Sequence, residues 1–517
     1  MNARSPTRKV EFGDFQTPIN LANEICDLLY KKGMRPRSII EPTCGEGNLL
    51  LSALDRFPSA TKAIGIDINY KHIERTRNRL ATRSYLDRAS VFQGDFFDVE
   101  WGKLLNGLPD PILVIGNPPW VTNSELAALN SANLPKKTNF QGFSGLDAKT
   151  GKSNFDISEW MLIHILEFLD RRDATMAMLC KISVARKVLA YAWKRNLPLR
   201  LSQIHLIDAK EAFGASVDAC LLVCDVSKSE KQEDQVCLVH EGILDDTYRT
   251  TFGYSNDRLI ADIGCDEQWR HLEGRKPYKW RSGIKHDCAR IMEFRKEEHG
   301  FRNKLGELYD LETTYIYPML KSSDVVKESM PVPSRWMLVT QQFVGEDTAV
   351  IKYTAPKTWA YLMRHSELLD KRRSSIYRGR SRFSIFGVGE YSFSPWKVAI
   401  SGLYKKLHFA VVGQHAGKPI VLDDTCYFLP CQSESEAQCL ASLLNSKVAE
   451  EFFKAFIFWD AKRPITVSVL SRLSLLALAR ELGYEDTLLS FLSSGKSSPL
   501  HRQLALFEME RDHPTHA

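Results

Sequence analysis

The stretch Ile112-Leu113-Val114-Ile115-Gly116-Asn117-Pro118-Pro119-Trp120 decides how this chain folds. Ile112 to Ile115 is a short apolar run between Pro111 and Gly116, the pattern of a strand buried on both faces. A polar residue and two prolines directly after it cannot extend a sheet or start an ordinary helix. They fix an extended turn at the carboxyl end of the strand, where open α/β sheets put their ligands. Asn117 offers an amide oxygen, Pro118 a carbonyl and Trp120 a flat face. Two acceptors and a stacking plate suit a planar ring bearing an exocyclic NH2. A strand-ending Asn-Pro turn with a core Trp reads the same in isolation, so the neighbouring segments decide.

Upstream, Arg37 to Ile40 is a strand candidate with Glu41 at its end. Pro42-Thr43-Cys44-Gly45-Glu46-Gly47-Asn48-Leu49-Leu50 follows, a glycine turn entering a helix. Small residues there let a ligand approach the backbone, and the helix N-terminus favours a carboxylate. Ala63 to Ile68 is another buried strand ending in an acid, Asp67, the usual device for holding ribose hydroxyls. Ser90 to Phe96 repeats the pattern and sets Asp95 to accept from an adenine amino group. At the start, Phe15-Gln16-Thr17-Pro18 reads as a helix entry with Thr17 as cap and Pro18 at the first position.

Glu41, Asp67, Asp95 and Asn117 thus end successive strands, with room for a helix or long turn between them. That order resembles the class I S-adenosylmethionine-dependent methyltransferases. More narrowly it resembles the amino-methylating DNA methyltransferases of the gamma arrangement, whose cofactor motifs precede the catalytic motif and whose target-recognition domain comes last. The likeness covers roughly the first half of the chain. It implies a Rossmann-like seven-stranded methyltransferase sheet followed by a C-terminal mixed α+β target-recognition domain. It implies S-adenosyl-L-methionine as cofactor, with the methionine end at Phe15, Thr17, Pro18, Glu41 and the turn through Thr43, Gly45 and Gly47. The ribose would lie at Asp67 and the adenine at Asp95 with Phe96. Asn117, Pro118, Pro119 and Trp120 would be the catalytic tetrapeptide, its leading Asn typical of adenine N6 and its Trp a departure from the commoner Tyr or Phe. Phe213, in the turn between two later strand candidates, would pack against the flipped base.

Composition agrees. At 517 residues the chain is too long for one ordinary core, so two domains are expected, 1–250 and 260–517. A hydrophobic content of 44% and a charged content of 26% are those of a globular protein. No apolar run is long enough for a membrane and no secretory leader stands out, so a cytoplasmic location is expected. The 11 cysteines are scattered without CxxC or His-Cys ligand spacing, which points to reduced thiols and no metal site. The net charge of +6 permits nucleic-acid binding without diagnosing it.

The insertion Val121 to Ser153, rich in Ser, Asn, Lys and Gly, suggests a lid closing on DNA. Past a polar connector at Val226 to Gln235 the βα rhythm stops. In the second half, Lys371 to Phe393 alternates arginines with Ser, Gly and aromatics. Arg378, Arg380 and Arg382 suit phosphates and guanine edges, and Lys285, in Trp280 to Asp287, joins them as a DNA-binding candidate. A solvated basic face is the plainer alternative.

The expectation is therefore a site-specific DNA adenine-N6 methyltransferase acting on double-stranded DNA, the modification half of a restriction–modification or phage-defence system. A cognate restriction endonuclease would be encoded separately. One rival is a methyltransferase of protein glutamine or ribosomal RNA, for which the arginine-bearing second half is oversized. The other is a fusion with a nuclease, for which no Asp…Glu-x-Lys constellation stands out and little chain precedes Phe15.

Overall fold

The computed structural model describes residues 16–121, 156–229, 234–274, 277–327, 332–461 and 463–495. Phe15 and nearly all of the expected lid, residues 122–155, lie outside them. The chain divides into two compact units, Met1–Ile263 and Gly264–Ala517.

The first unit is a three-layer α/β structure around a ten-stranded sheet. Its first strands are β1 (Ser38–Glu41), β2 (Lys62–Asp67), β3 (Ala89–Gln93), β4 (Ile112–Gly116) and β5 (Ala174–Lys181). After them come β6 (Leu199–Ile207), β7 (Ala219–Val226), β8 (Val236–His240), β9 (Tyr248–Ser255) and β10 (Arg258–Ile260). The order across the sheet is β10-β9-β8-β6-β7-β5-β4-β1-β2-β3. β1 to β5 run parallel, and β7 enters antiparallel between β5 and β6. The class I sheet expected from the sequence is all here. β8 then extends it by pairing parallel to β6, and the β9–β10 hairpin completes it.

The expected boundary at residue 250 therefore falls inside β9. The physical reason is the turn at Asn256-Asp257: both residues take positive φ, 51° and 58°, so β10 folds straight back on β9 and stays with the first unit. Every residue of β4 is buried, as its unbroken apolar run foretold.

The helices named below are α1 (Ile19–Lys31), α2 (Asn48–Arg56), α3 (Tyr70–Thr82), α4 (Trp101–Asn106), α5 (Ile157–Phe168), α6 (Ile182–Lys194) and α7 (Ala209–Phe213). Leu21 and Ile25 of α1 and Leu50 and Leu54 of α2 pack with Ile39, Leu113 and Ile115 in one core. The helix entry near residue 17 differs from the sequence reading. Pro18, at ψ 144°, is the residue before the helix and no side chain caps it. Thr17 is buried instead, its carbonyl accepting from Asn48 Nδ2 at 2.7 Å.

The second unit is mixed α+β. A six-stranded sheet contains Glu293–Glu297, Gly300–Asn303, Leu308–Tyr309, Ile316–Leu320, Arg335–Leu338 and Val421–Leu422. A four-stranded one contains Arg281–Ser282, Trp396–Ser401, Ala410–Val412 and Cys426–Cys431. Late helices at Glu434–Leu444, Lys447–Lys454 and Leu475–Glu481 follow. No helix among the described residues is long and apolar enough to cross a membrane.

Candidate active site

Parallel strands end on the same edge of a sheet, so strand order sets the order of the groups at their ends. Across this edge the groups run Asp95 (after β3), Asp67 (β2), Glu41 (β1), Asn117 (after β4) and Lys181 (β5). In sequence Asn117 comes after Asp95; in space it stands next to Glu41, because β4 returns to pair with the outer side of β1. This is the reversal point at which open α/β sheets bind ligands.

Between β1 and α2 the chain makes its glycine turn. Gly45 and Gly47 both take left-handed φ, 50° and 77°. A Cβ on Gly47 would sit 2.4 Å from Thr76 Cγ2, so the turn has no room for one. Gly47 has no side chain to cap α2, and Glu41 supplies the cap from the strand below, its Oε2 accepting from Leu50 N at 2.9 Å. Burial pushes the Glu41 carboxyl well above the usual carboxylate range, the Leu50 amide pulls it down, and Asp67 adds to the rise. Asp67 in turn accepts from Gly45 N and from Asn69 N, each at 2.8 Å. Asp95 accepts from Phe97 N at 2.9 Å.

The structure brings Thr17, Glu41, Thr43, Gly45, Gly47 and Asp67 into one network. Gln16, which the sequence reading passed over, accepts from Glu46 N at 2.8 Å and holds the turn from the N-terminal side. Phe96 is enclosed with Trp101 and Trp160, ring centroids 4.9 and 6.4 Å away. Phe96 is 5% exposed, and its carbonyl accepts from Trp101 Nε1 at 2.9 Å. Ile68 was also missed. It is 42% exposed immediately after Asp67, an apolar side chain left in the open at the strand end.

The Asn-Pro-Pro-Trp turn touches the glycine turn directly. Thr43 Oγ1 donates to the Asn117 carbonyl at 3.4 Å. Trp120 is 6% exposed and meets Phe213 edge to face, centroids 5.1 Å apart at 75°. Phe213 ends α7, and Gly214, at φ 67°, turns the chain away. Among the described residues no hydrogen bond reaches the Pro118 carbonyl. Lys181 Nζ donates to the Trp120 carbonyl at 3.0 Å and to Asp156 Oδ2 at 2.7 Å. Val121 O accepts from Ile157 N at 3.0 Å, so the two described ends flanking residues 122–155 lie side by side.

With this geometry in place, comparison with known proteins is decisive. The chain is 45% identical over 473 residues to the type II methyltransferase M.NspV of Nostoc sp., a match covering 91% of this chain and 98% of the relative. The chain belongs to the type II methyltransferases. It is thus a methyltransferase of the restriction–modification kind. The solved structure of the type IIL restriction–modification enzyme MmeI in complex with DNA shares the fold: TM-score 0.50, 13% identity, covering 92% of this chain and 75% of that one. A putative class I S-adenosylmethionine-dependent methyltransferase from Listeria monocytogenes aligns with 44% of this chain and 67% of its own, with a TM-score of 0.31 and 14% identity. No family model matches the sequence.

In the second unit the basic segment separates into two kinds of arginine. Arg372 turns inward, donating to the carbonyls of Leu369, His286, Ser384 and Arg382 and lying 3.7 Å over the Tyr377 ring. Phe383 and Ile385 are core residues. Arg378 and Arg380 are exposed and make no ion pair among the described residues. Arg382 is already paired, its Nη2 2.6 Å from Asp370 Oδ2, and Lys285 Nζ lies 3.3 Å from Asp287 Oδ1. Asp370, the acid that pairs with Arg382, sits just before the segment Lys371 to Phe393 and so lay outside it.

Proposed function

We propose that this type II methyltransferase transfers a methyl group from S-adenosylmethionine to the N6 amino group of a flipped-out adenine in double-stranded DNA. The observation that carries this reading is the spatial order Asp95, Asp67, Glu41, Asn117 along one sheet edge. An adenine amino group, a ribose diol, an α-ammonium and a methyl acceptor would need their partners in that sequence.

The donor set fits the cofactor. Glu41 is a buried carboxyl whose ionisation burial opposes, and a cationic ammonium alongside would relieve it. Asp67 and Asp95 are partly exposed acids with capacity left for further donors, and Ile68 offers an open apolar face. S-adenosylmethionine, when bound, supplies a methyl carbon made electrophilic by a sulfonium.

On the acceptor side, the adenine amino nitrogen is a poor nucleophile because its lone pair is delocalised into the ring. Asn117 Oδ1 and the Pro118 carbonyl accept its two hydrogens and draw the lone pair out of conjugation. The nitrogen gains positive charge as the bond forms, and the two fixed acceptor dipoles stabilise that charge without reorganising. One proton then leaves the nitrogen for solvent. Trp120 and Phe213 offset part of the stacking lost when the base leaves the duplex. Arg378 and Arg380 hold phosphates, and the second unit reads the target sequence. The partner enzyme would be an endonuclease cutting the same sequence.

Incubating the protein with unmethylated genomic DNA and S-adenosylmethionine, then digesting to nucleosides for mass spectrometry, tests this. N6-methyladenine is the expected product. N4-methylcytosine in its place would overturn the adenine assignment.

A further inference from the structure

Lys181 ends β5 on the same sheet edge as the catalytic tetrapeptide and is not accounted for by cofactor or base binding. β4 and β5 are parallel, with Gly116 opposite Met178, so the residues just beyond each strand face one another. The Lys181 ammonium lies 3.0 Å from the Trp120 carbonyl and 2.7 Å from Asp156 Oδ2. Asp156 is 5% exposed, and its other oxygen accepts from Ser158 N at 3.1 Å and Ser158 Oγ at 2.6 Å, capping α5. Both carboxylate oxygens are thus engaged, one with the ammonium and one with the start of α5. What the carboxylate does is cancel the ammonium's charge, which would otherwise oppose the positive charge growing on the substrate nitrogen.

The tetrapeptide has few soft torsions. Each proline fixes its own φ and brings no N–H. At the leading end, Thr43 Oγ1 holds the Asn117 carbonyl at 3.4 Å. At the trailing end, the Trp120 ring donates from Nε1 to Leu179 O at 3.4 Å, and Lys181 takes the Trp120 carbonyl. With both ends pinned, the Pro118 carbonyl and the Asn117 amide keep a fixed separation and direction. We infer that Lys181, neutralised by Asp156, is a positioning residue for methyl transfer: it locks the trailing end of the Asn-Pro-Pro-Trp turn and so sets the direction of the two acceptors. The inference rests on the adenine-methylation reading for its kinetic consequence, while the locking itself does not.

Misplacing a reacting group by about 1 Å costs on the order of 100-fold in rate. In the full-length protein, Lys181→Met should lower the single-turnover rate of methyl transfer to unmethylated genomic DNA by about that factor. Calorimetric affinity for S-adenosylmethionine should stay within about threefold, because the residues of the glycine turn are untouched. Lys181→Arg, which can still donate to both oxygens, should recover at least about tenfold of the loss. Hydrogen exchange should rise in Lys181→Met at the Ile157 amide, whose acceptor Val121 O directly follows the Trp120 carbonyl, and stay unchanged over residues 43–50.

Two outcomes overturn the inference: a Lys181→Met rate within about threefold of wild type, or a rate loss matched by an equal loss of donor affinity with faster exchange throughout β1 and β4. If the wild-type protein makes no N6-methyladenine, the functional reading fails by itself. Exchange then decides, unchanged protection of the Ile157 amide refuting the lock and selective loss of its protection upholding it.

Discussion

Glu41 Oε2 and the Leu50 amide stand 2.9 Å apart, so one buried carboxyl starts helix α2 and also faces the place proposed for the cofactor's ammonium. Because burial raises its pKa, the folded state holds the Glu41 proton more tightly than the unfolded chain does. Stability from this group is therefore full below the ordinary glutamate pKa of about 4.3 and declines as pH rises toward the folded value. Glu41→Gln cannot ionise. Its melting temperature without ligand should gain on wild type progressively as pH rises above the ordinary glutamate range toward the folded value. Its affinity for S-adenosylmethionine should drop at every pH, and the proton release that accompanies wild-type binding should vanish. Parallel melting curves and calorimetry in buffers of different ionisation enthalpy check both; a melting difference independent of pH would refute the buried-proton account.

Asn117 and Asp67 lie on either side of β1, and the proposed function gives them different duties. Asn117→Ala should lower turnover by about 10²–10³-fold, the usual cost of losing one fixed transition-state partner, with donor affinity within a few-fold. Asp67→Asn should weaken donor binding first, and it is a cleaner probe than Ala because Asn still offers an oxygen to Gly45 N or Asn69 N. Near-normal turnover in Asn117→Ala would remove it from the chemistry.

The three surface arginines should not be equal. Replacing Arg378 and Arg380 with Ala should lower the log–log salt slope of duplex binding by about 0.9 for every phosphate the protein no longer neutralises. Arg382→Ala should change the slope less, since its fork is shared with Asp370. Equal slopes for all variants and wild type would return this segment to an ordinary solvated face.

Arg372 is a fold residue by the same reasoning. Arg372→Ala removes the side-chain donor from the carbonyls of Leu369, His286, Ser384 and Arg382, of which Leu369 keeps the Arg372 backbone N–H, and should cost about 2–3 kcal/mol in denaturant melts. Lys should rescue little, because a point charge cannot reach four carbonyls as a planar fork does.

What the sequence disclosed and what it hid follow from the range of the forces involved. Glu41, Asp67, Asp95 and Asn117 were legible because each follows its own strand, and strand periodicity is local. Lys181 was not, since its partner on the Trp120 carbonyl is a backbone atom 61 residues away and leaves no mark in composition. Arg372 and Arg378 look alike in a string of letters; only the Tyr377 ring and four carbonyls pull one of them inward. Val236 to Val239 is strand-like in sequence, but its place beside β6 is not legible there, because that depends on pairing across the polar connector.

The bond between Val121 O and Ile157 N gives the first unit an unusual freedom. The chain leaves the sheet edge and rejoins it at a single point, so the length of what lies between is decoupled from the register of β4, β5 and the acceptors they carry. Doubling such an excursion costs only about 0.6 kcal/mol of closure entropy. A change of length between Val121 and Ile157 therefore need not disturb the pairing of β4 with β5, which is set by residues on either side.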